Sequence, residues 1–387
     1  MIQIIDYHEY VPRRKALGLG FSNTNLKAME PILHKNIDTF ILKVRTELEE
    51  KGKIEVYYWL ELAMTNILGE VCYGKDFELI DIGGHDDFIK SLFTALFTYT
   101  ARGKIPFIRL IEYLLSYIPH PEIQWFINSN SCLTAYAGKY MSEMREEIKS
   151  SKDGRLSRPS MFSELMIKSD CQTGKHKLSA TALRDEAGFF VLLGSKSVSI
   201  VGTYLLWAIY RYPGIRKNLE EGLKGTNWDL TNLQNLPYLA AVIKEVLRLY
   251  NPSAIGAPRT VPKGGRNVGP YFFPEGTVVS PETYSIHRDP DIFAGPLSFK
   301  PERWENPTKA METALMPFGG ASRLCPAKNL TMMELRLIAA KVVKECGDMT
   351  PADSCTDESM EFEELTALLP KTRKCELQRK LPVPMSA

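Results

Sequence analysis

The sequence lacks the features of several broad protein classes. Its seven cysteines follow no paired spacing, so neither a disulfide framework nor a four-ligand zinc site is predicted, and the thiols are expected to be free in a reducing compartment. Lys and Arg number 48 against 46 Asp and Glu, which gives no electrostatic reason to expect nucleic acid. The first apolar run, Met1 to Ile5, is too short for a signal peptide or a membrane anchor.

What the sequence does contain is an ordinary globular composition, with 44% hydrophobic and 24% charged residues. Helical periodicity predicts a helical part over about residues 12–250, followed by short extended runs and turns over about 253–306. A loop at 317–327 then precedes a further helix at 328–346. No linker marks a boundary, so we expect a single domain over 1–387 that is mainly α with a small β part, an α+β fold.

The strongest predicted helix covers residues 179–211, with Ser179 as its N-cap. It is apolar on nearly all sides, which indicates a helix through the middle of the protein and not a membrane span. Its centre carries Gly194, Lys196 and Ser197, and a glycine there costs about 1 kcal/mol relative to alanine. Such a local cost is typical of a functional site. The alternative is close helix packing at Gly194, with Lys196 reaching solvent.

The loop at 317–327 contains one cysteine, Cys325, two residues after Arg323 and just before a predicted helix. A helix N-terminus stabilises a thiolate, but a lone thiolate cannot complete a structural zinc site. A metal bound here has to bring its other ligands, as haem iron does with its porphyrin. Arg323 could then pair with a carboxylate of that group. The alternative is a buried free cysteine in a loop.

Three motifs occur in a fixed order: Glu245 to Arg248, Pro301 to Trp304, and Phe318 to Cys325. With them the sequence resembles a cytochrome P-450 of the eukaryotic, fungal type. The resemblance runs from about Asp6 to the end of the chain. It implies the fold of that family and a haem cofactor, iron protoporphyrin IX.

The resemblance also assigns residues to that cofactor. Cys325 is expected to be the axial thiolate ligand of the iron, with Phe318 packed beside the sulfur. Arg323 and Arg259 are expected to bind haem propionates, and Arg14 is a third candidate for that role.

A buried ion-pair triad is implied in the same way. Glu245, Arg248 and Arg303 are expected to form a buried ion-pair triad with a structural role. Removing one partner of such a pair typically costs roughly 3 to 5 kcal/mol.

The central helix departs from the family pattern. Gly194, Lys196 and Ser197 lie in a stretch that resembles the family's oxygen-binding segment, where Lys196 replaces an acidic residue and Ser197 keeps a hydroxyl for the distal hydrogen bond. We expect these three residues to take part in catalysis, with an altered proton relay. In the cysteine loop, Ala321 and Ala327 stand where glycine is usual, so the loop is expected to shift to accommodate their methyl groups.

The function implied is a haem-thiolate monooxygenase that inserts one atom of O₂ into an apolar organic substrate, with fungal secondary metabolism as the expected setting. NADPH-cytochrome P-450 reductase is the expected electron donor. Full-length members are anchored on the cytosolic face of the endoplasmic reticulum. This chain has no anchor or first strands, so we expect an N-terminally incomplete, cytoplasmic form. Two alternatives stay open: an inactive haem-binding remnant, and a haem-thiolate enzyme that catalyses coupling, rearrangement or peroxide-driven oxidation, an idea motivated by Lys196.

Overall fold

The chain forms a mainly helical body with small sheets at its edges, as the sequence predicts. A computed structural model describes residues 7–18, 20–84, 87–105, 107–158, 160–171, 178–253, 256, 258–364 and 367–380. Asp6, where the resemblance begins, lies outside these residues. Sixteen α-helices lie within the described ranges: α1 (Tyr7–Gly18), α2 (Asn23–Ala28), α3 (Glu30–Lys51), α4 (Val56–Tyr73), α5 (Leu79–Ile82), α6 (Asp87–Lys104), α7 (Ile108–Leu115), α8 (Pro121–Ser150), α9 (Met161–Cys171), α10 (Ala180–Arg211), α11 (Pro213–Gly222), α12 (Leu230–Gln234), α13 (Pro237–Leu249), α14 (Thr283–Ile286), α15 (Lys309–Ala314) and α16 (Lys328–Glu345).

The strands are short and pair antiparallel. One three-stranded sheet places the last strand between the first strand and a strand that follows α16, and the other three sheets have two strands each. Short 3₁₀ helices cover Pro301–Trp304 and Ala321–Arg323. The strands of the described chain are β1 (Lys53–Glu55), β2 (Arg259–Thr260), β3 (Arg266–Val268), β4 (Tyr271–Phe273), β5 (Val278–Val279), β6 (Met349–Pro351), β7 (Phe362–Glu364), β8 (Leu368–Pro370) and β9 (Glu376–Arg379).

The predicted central helix is confirmed as α10. The Ser179 hydroxyl accepts a hydrogen bond from the Ala182 N–H at 3.0 Å and so caps its N-terminus. The helix packs against α4, α8, α13 and α16, so it lies inside the helical body. By length and composition it is the one helix of the described chain that could cross a bilayer, and 67% of its apolar window is buried. A core helix passes the same test.

Two glycines set the distance between α10 and α4. A Cβ atom at Gly194 would lie 2.6 Å from Cδ1 of Leu68, and one at Gly202 would lie 3.3 Å from Cδ1 of Leu60. A side chain at Gly194 would therefore displace the Leu68 side chain from its place between the two helices. Close helix packing was the alternative to a functional role for Gly194. The free-energy cost of a glycine inside the helix is offset by the packing contact that it permits.

Candidate functional site

The cysteine loop folds back on itself before α16. The N–H of Cys325 donates to the carbonyl oxygen of Phe318 at 2.9 Å, which closes the loop over six intervening residues. Gly319 has φ +71° and Ala321 has φ +51°, both in the left-handed region. That region costs an alanine about 1 kcal/mol or more. The methyl group at Ala321 is thus held in a strained backbone.

Ala327 differs from Ala321. Its φ of −86° is ordinary for an L-residue, so its methyl group needs no left-handed conformation. The expected shift of the loop backbone is therefore seen at Ala321, which adopts a left-handed conformation, but not at Ala327.

The thiol of Cys325 lies at the N-terminus of α16. Burial raises the pKa of Cys325, while hydrogen bonds from the backbone N–H groups of Ala327 and Lys328 and the charge of Arg14 act in the opposite direction. These donors and this charge stabilise a thiolate. A bound metal ion would deprotonate the thiol outright.

A cavity of about 250 Å³ lies beside Cys325. Arg14, on α1, lines it, and its buried Nη1 atom has no hydrogen-bond partner within the described part of the chain. A buried guanidinium nitrogen without a partner marks a place for an anionic group. The thiol and this cation therefore fit a metal-bearing cofactor that also carries carboxylates. The other residues that line the cavity are Gly18, Phe21, Leu324, Pro326, Lys328 and Asn329.

Arg323 is held against α1. Its guanidinium carbon lies 3.5 Å from the ring centroid of Tyr10, and the Tyr10 hydroxyl donates to the carbonyl oxygen of Ser322 at 2.9 Å. Tyr10 thus fastens the cysteine loop to α1. Arg259 is different: it is exposed on β2, donates from Nη1 to its neighbour Pro258 at 2.9 Å, and is not among the described residues that line the cavity.

Glu245, Arg248 and Arg303 are brought together in the structure. Both Glu245 and Arg248 have 0% exposed side chains. The guanidinium of Arg248 makes two hydrogen bonds to the carboxylate, Nη2 to Oε1 at 2.8 Å and Nε to Oε2 at 3.0 Å, and Nε of Arg303 reaches Oε1 at 3.1 Å. Trp304 adds an indole N–H to Oε2 at 2.9 Å. The carboxylate is fully surrounded by donors, as a buried charge requires.

His287 connects this triad to the cysteine loop, and sequence reasoning missed it. Its Nδ1 lies 3.1 Å from the carbonyl oxygen of Arg248, and its Nε2 accepts the N–H of Met316 at 3.1 Å. The ring is therefore neutral, with its proton on Nδ1. Burial lowers the pKa of His287 to about 4. A lone histidine before a proline turn carries no signal of these partners, which lie in two distant segments.

His287 makes the stability of the protein depend on pH. Its folded pKa, about 4, lies below the unfolded value of about 6.5, so the unfolded chain takes up the proton first as the pH falls. The stabilisation is complete above pH 6.5 and is lost between pH 6.5 and 4. We expect the free energy of unfolding to fall by roughly 2 kcal/mol from this residue between pH 7 and pH 5. Urea unfolding of the protein and of His287→Gln at pH 5, 6 and 7 measures this loss. If the free energy of unfolding fell equally with pH in the two proteins, the prediction would be contradicted.

The three residues of α10 that were predicted to take part in catalysis lie in different surroundings. Gly194 packs on Leu68, as described above. Nζ of Lys196 forms an ion pair with Oε1 of Glu61 on α4, and the two side chains are 16% and 8% exposed. Ser197 is exposed and donates its hydroxyl to the carbonyl oxygen of Leu193 at 2.7 Å. An exposed serine midway along a buried helix marks an opening beside it.

Lys196 therefore does not extend freely to solvent, and its partner was not predicted. Nζ also lies 4.9 Å from the ring centroid of Tyr57, one turn before Glu61. Glu61 is 135 residues from Lys196 along the chain, so no sequence spacing indicates this ion pair.

Comparison with known proteins fits this geometry. A family model described as Cytochrome P450 matches residues 8–377. The chain belongs to the cytochrome P450 family. Its cofactor is accordingly a haem held by a thiolate, and the family is one of oxidoreductases. The mainly helical fold predicted from the sequence is confirmed.

Several similar proteins are fungal P450s. The chain is 27% identical to cytochrome P450 monooxygenase orf2 of Aspergillus niger, over 97% of this chain and 75% of that protein. It is 30% identical to cytochrome P450 monooxygenase tazI of Aspergillus terreus, over 95% of this chain and 74% of that protein. Among solved structures, the retinoic acid-bound cyanobacterial CYP120A1 matches with a TM-score of 0.75 at 19% identity, over 95% of this chain and 78% of that one. That likeness shows the fold.

Proposed function

We propose that this P450 is a haem-thiolate monooxygenase that inserts one atom of O₂ into an apolar organic substrate, with Cys325 as the axial ligand. The observation that carries the proposal is the Cys325 thiol, set at a helix N-terminus in a cavity with the unpartnered Nη1 of Arg14. Haem bound through a thiolate supplies the oxidising chemistry. The remaining roles belong to the chain's own side chains.

On the thiolate side, the proposal gives each residue a task. Arg14 binds a haem carboxylate through its unpartnered nitrogen, and Arg323, stacked on Tyr10, holds the loop and binds a second carboxylate. Arg259 is the weaker candidate, because it is exposed on β2 and its guanidinium donates to the carbonyl oxygen of its neighbour Pro258. Phe318 packs beside the sulfur, and its carbonyl oxygen fixes the N–H of Cys325.

On the opposite side, the α10 residues have positioning tasks. Ser197 has its hydroxyl at an opening along α10, where it can hold a hydrogen bond to a ligand or a water molecule after rotating away from Leu193. Gly194 keeps α10 close to α4. Lys196 acts through Glu61 to fix the same pair of helices. Since its ammonium already has this partner, Lys196 no longer favours peroxide-driven or coupling chemistry over monooxygenation.

A double variant separates positioning by Lys196 from proton delivery. Lys196→Met leaves Glu61 poorly hydrated and unpaired, so we expect the free energy of unfolding to fall by roughly 3 kcal/mol. Adding Glu61→Gln removes the stranded charge and is expected to recover most of that loss. Unfolding and the fraction of electrons that reach product are measured for all variants. If stability returns in the double variant but electron coupling does not, Lys196 has a role in proton delivery and the positioning role fails.

The proposed setting is the cytosolic face of the endoplasmic reticulum, with NADPH-cytochrome P-450 reductase as electron donor and fungal secondary metabolism as the source of substrate. One fungal relative is named averantin hydroxylase, which supports hydroxylation as the type of reaction. Helix α7 and the residue before it expose several large apolar side chains, which suit a membrane surface. Phe107 is 81% exposed, and Leu110, Tyr113 and Leu114 are each more than half exposed.

Two measurements on the haem-loaded protein test this function. A carbon monoxide difference spectrum should show the red-shifted Soret band of a thiolate ligand, and turnover with reductase and NADPH on lipid vesicles should yield a hydroxylated apolar product. Absence of the thiolate band from folded, haem-loaded protein would overturn the proposal. A thiolate band without NADPH-driven product would favour the inactive haem-binding alternative.

A further inference from the structure

Two cysteines with no part in the proposed haem site meet at one end of the three-stranded sheet, beside its central strand β9. The sulfur atoms of Cys355 and Cys375 lie 3.8 Å apart, in contact but not bonded. Cys375 is 0% exposed and Cys355 is 6% exposed. A disulfide needs a sulfur separation of about 2.05 Å, so closing the bond requires a movement of less than about 2 Å.

The backbone holds both thiols in this position. The N–H of Cys375 donates to Oε1 of Glu55 at 2.8 Å, and its carbonyl oxygen accepts the N–H of Val56 at 2.8 Å. On the other side, the N–H of Cys355 donates to Ala352 at 2.8 Å. The N–H of Ala352 in turn donates to the carbonyl oxygen of the residue after Cys375, at 3.0 Å. The two segments are therefore already joined, and the sulfur contact is not left to flexible loops.

The two thiols differ in reactivity. The hydrogen bond shared with Cys375 lowers the pKa of Cys355. That same interaction, followed by burial, raises the pKa of Cys375 well above its usual range. A thiolate is the reactive form of cysteine. Cys355 is the thiol with an exposed fraction and so the one that peroxide reaches first, and Cys375, fully buried with its sulfur 3.8 Å away, is placed to resolve the product.

We propose that Cys355 and Cys375 are an oxidative modification site that closes to a disulfide when the protein meets hydrogen peroxide. The Cys355 thiolate attacks one peroxide oxygen, the O–O bond breaks, and the leaving hydroxide takes a proton to become water. The sulfur of Cys375 then displaces hydroxide from the Cys355 sulfenic acid, and with the Cys375 proton this forms a second water. Two thiols lose two electrons and one peroxide gains them. A thiol reductant reverses the reaction.

The bridge would fasten parts of the fold that meet at this point. Cys375 lies directly before β9, which pairs with both β1 and β6. Glu55, which accepts the Cys375 N–H, also accepts the N–H groups of Tyr57 and Tyr58 and so caps α4. Oxidation is therefore expected to raise the thermal unfolding midpoint of the sheet and of the start of α4, since a cross-link restricts the unfolded chain.

The experiment uses the full chain, fully reduced and then treated with a small excess of hydrogen peroxide. Free thiols are alkylated under denaturing conditions, and the digested peptides are identified by mass spectrometry. We expect one intramolecular link between the Cys355 and Cys375 peptides, lost again with dithiothreitol. Cys375→Ser should trap a sulfenic acid at Cys355 that reacts with dimedone. Cys355→Ser should leave Cys375 unmodified, and Cys132→Ser should keep the link.

The outcomes decide between a paired site and ordinary thiol oxidation. Oxidation of any cysteine other than the haem-site Cys325 before this link forms, or a link that joins different peptides, would overturn the proposal, as would equal oxidation of Cys375 in Cys355→Ser. A serine variant that does not fold leaves the peptide map of the unaltered chain to decide. The peptide readout needs no haem and no turnover, so it stands or falls separately from the proposed monooxygenase function.

Discussion

Replacing Cys325 with serine is expected to remove the thiolate band from the carbon monoxide difference spectrum entirely and to abolish hydroxylation. Cys325 offers its sulfur at the N-terminus of α16, with N–H groups from Ala327 and Lys328 directed to it. A serine hydroxyl keeps the size of the site but ionises far less readily than a thiol, so it is a poor anionic ligand. The change should leave folding nearly unaffected, because the N–H of residue 325 still donates to Phe318.

Cys346 provides a matched control at the other end of the same helix. It is also a partly buried free cysteine, and burial raises its pKa to about 12. Cys346→Ser should keep both the thiolate band and turnover. If Cys325→Ser retained a thiolate band while Cys346→Ser lost it, the axial ligand would be wrongly assigned.

The sequence predicted the central helix well because its signals are local. Ser179 and the proline at 213 bracket the helix, and the structure has it from Ala180 to Arg211. The glycine inside it was recognised as a cost, but its purpose depends on a leucine from another helix. Leu68, whose side chain lies 2.6 Å from a Cβ atom built at Gly194, is 126 residues away in the chain, and no periodicity reveals that contact.

The candidate site also combines local features, which the sequence predicts, with contacts between distant residues, which it does not. Glu245 and Arg248 stand three residues apart, so a shared helix face is predictable from spacing. Their complete burial is not, since an exposed pair has the same spacing. The link from Arg248 through His287 to Met316 joins three segments that are remote in sequence. Side-chain partners of this kind follow from tertiary packing.

The small sheets were the least predictable part of the fold. β9 pairs with β1 across more than 300 residues, with Ile54 opposite Leu377, and also with β6. Each of these strands has three or four residues, too few for a clear alternation of polar and apolar side chains. The contact between Cys355 and Cys375 depends on this pairing and could not be inferred from cysteine spacing.

The Glu245 carboxylate is the centre of the buried cluster that it forms with Arg248, Arg303 and Trp304. It accepts five hydrogen bonds, two from Arg248 and one each from Arg303, Trp304 and the N–H of Lys300. Arg248 in turn donates to three backbone carbonyl oxygens, two of them at 2.6 and 2.7 Å. A single carboxylate therefore accepts from two guanidinium groups, and both arginines also donate to backbone carbonyl oxygens of the neighbouring loops.

Glu245→Gln is expected to lower the free energy of unfolding by about 4 kcal/mol and to prevent stable haem loading. The amide removes the negative charge between two arginines, and its NH₂ group points a donor at other donors, so buried charge is left uncompensated. Because Arg248 holds His287, and His287 holds the N–H of Met316, the disturbance reaches the start of the cysteine loop. Urea unfolding and the haem-to-protein absorbance ratio measure the two effects.

Glu302→Gln makes the same chemical change two residues before Trp304, at an exposed carboxylate whose contact is the Tyr238 hydroxyl at 3.2 Å. It should change the free energy of unfolding by less than about 0.5 kcal/mol and leave haem loading intact. If the free energy of unfolding of Glu245→Gln were within about 1 kcal/mol of that of the unaltered chain, backbone carbonyl groups alone would satisfy the two arginines. In that case the carboxylate would be dispensable, and the loop geometry around Cys325 would have to rest on the contacts that Ser322 and Arg323 make with Tyr10 of α1.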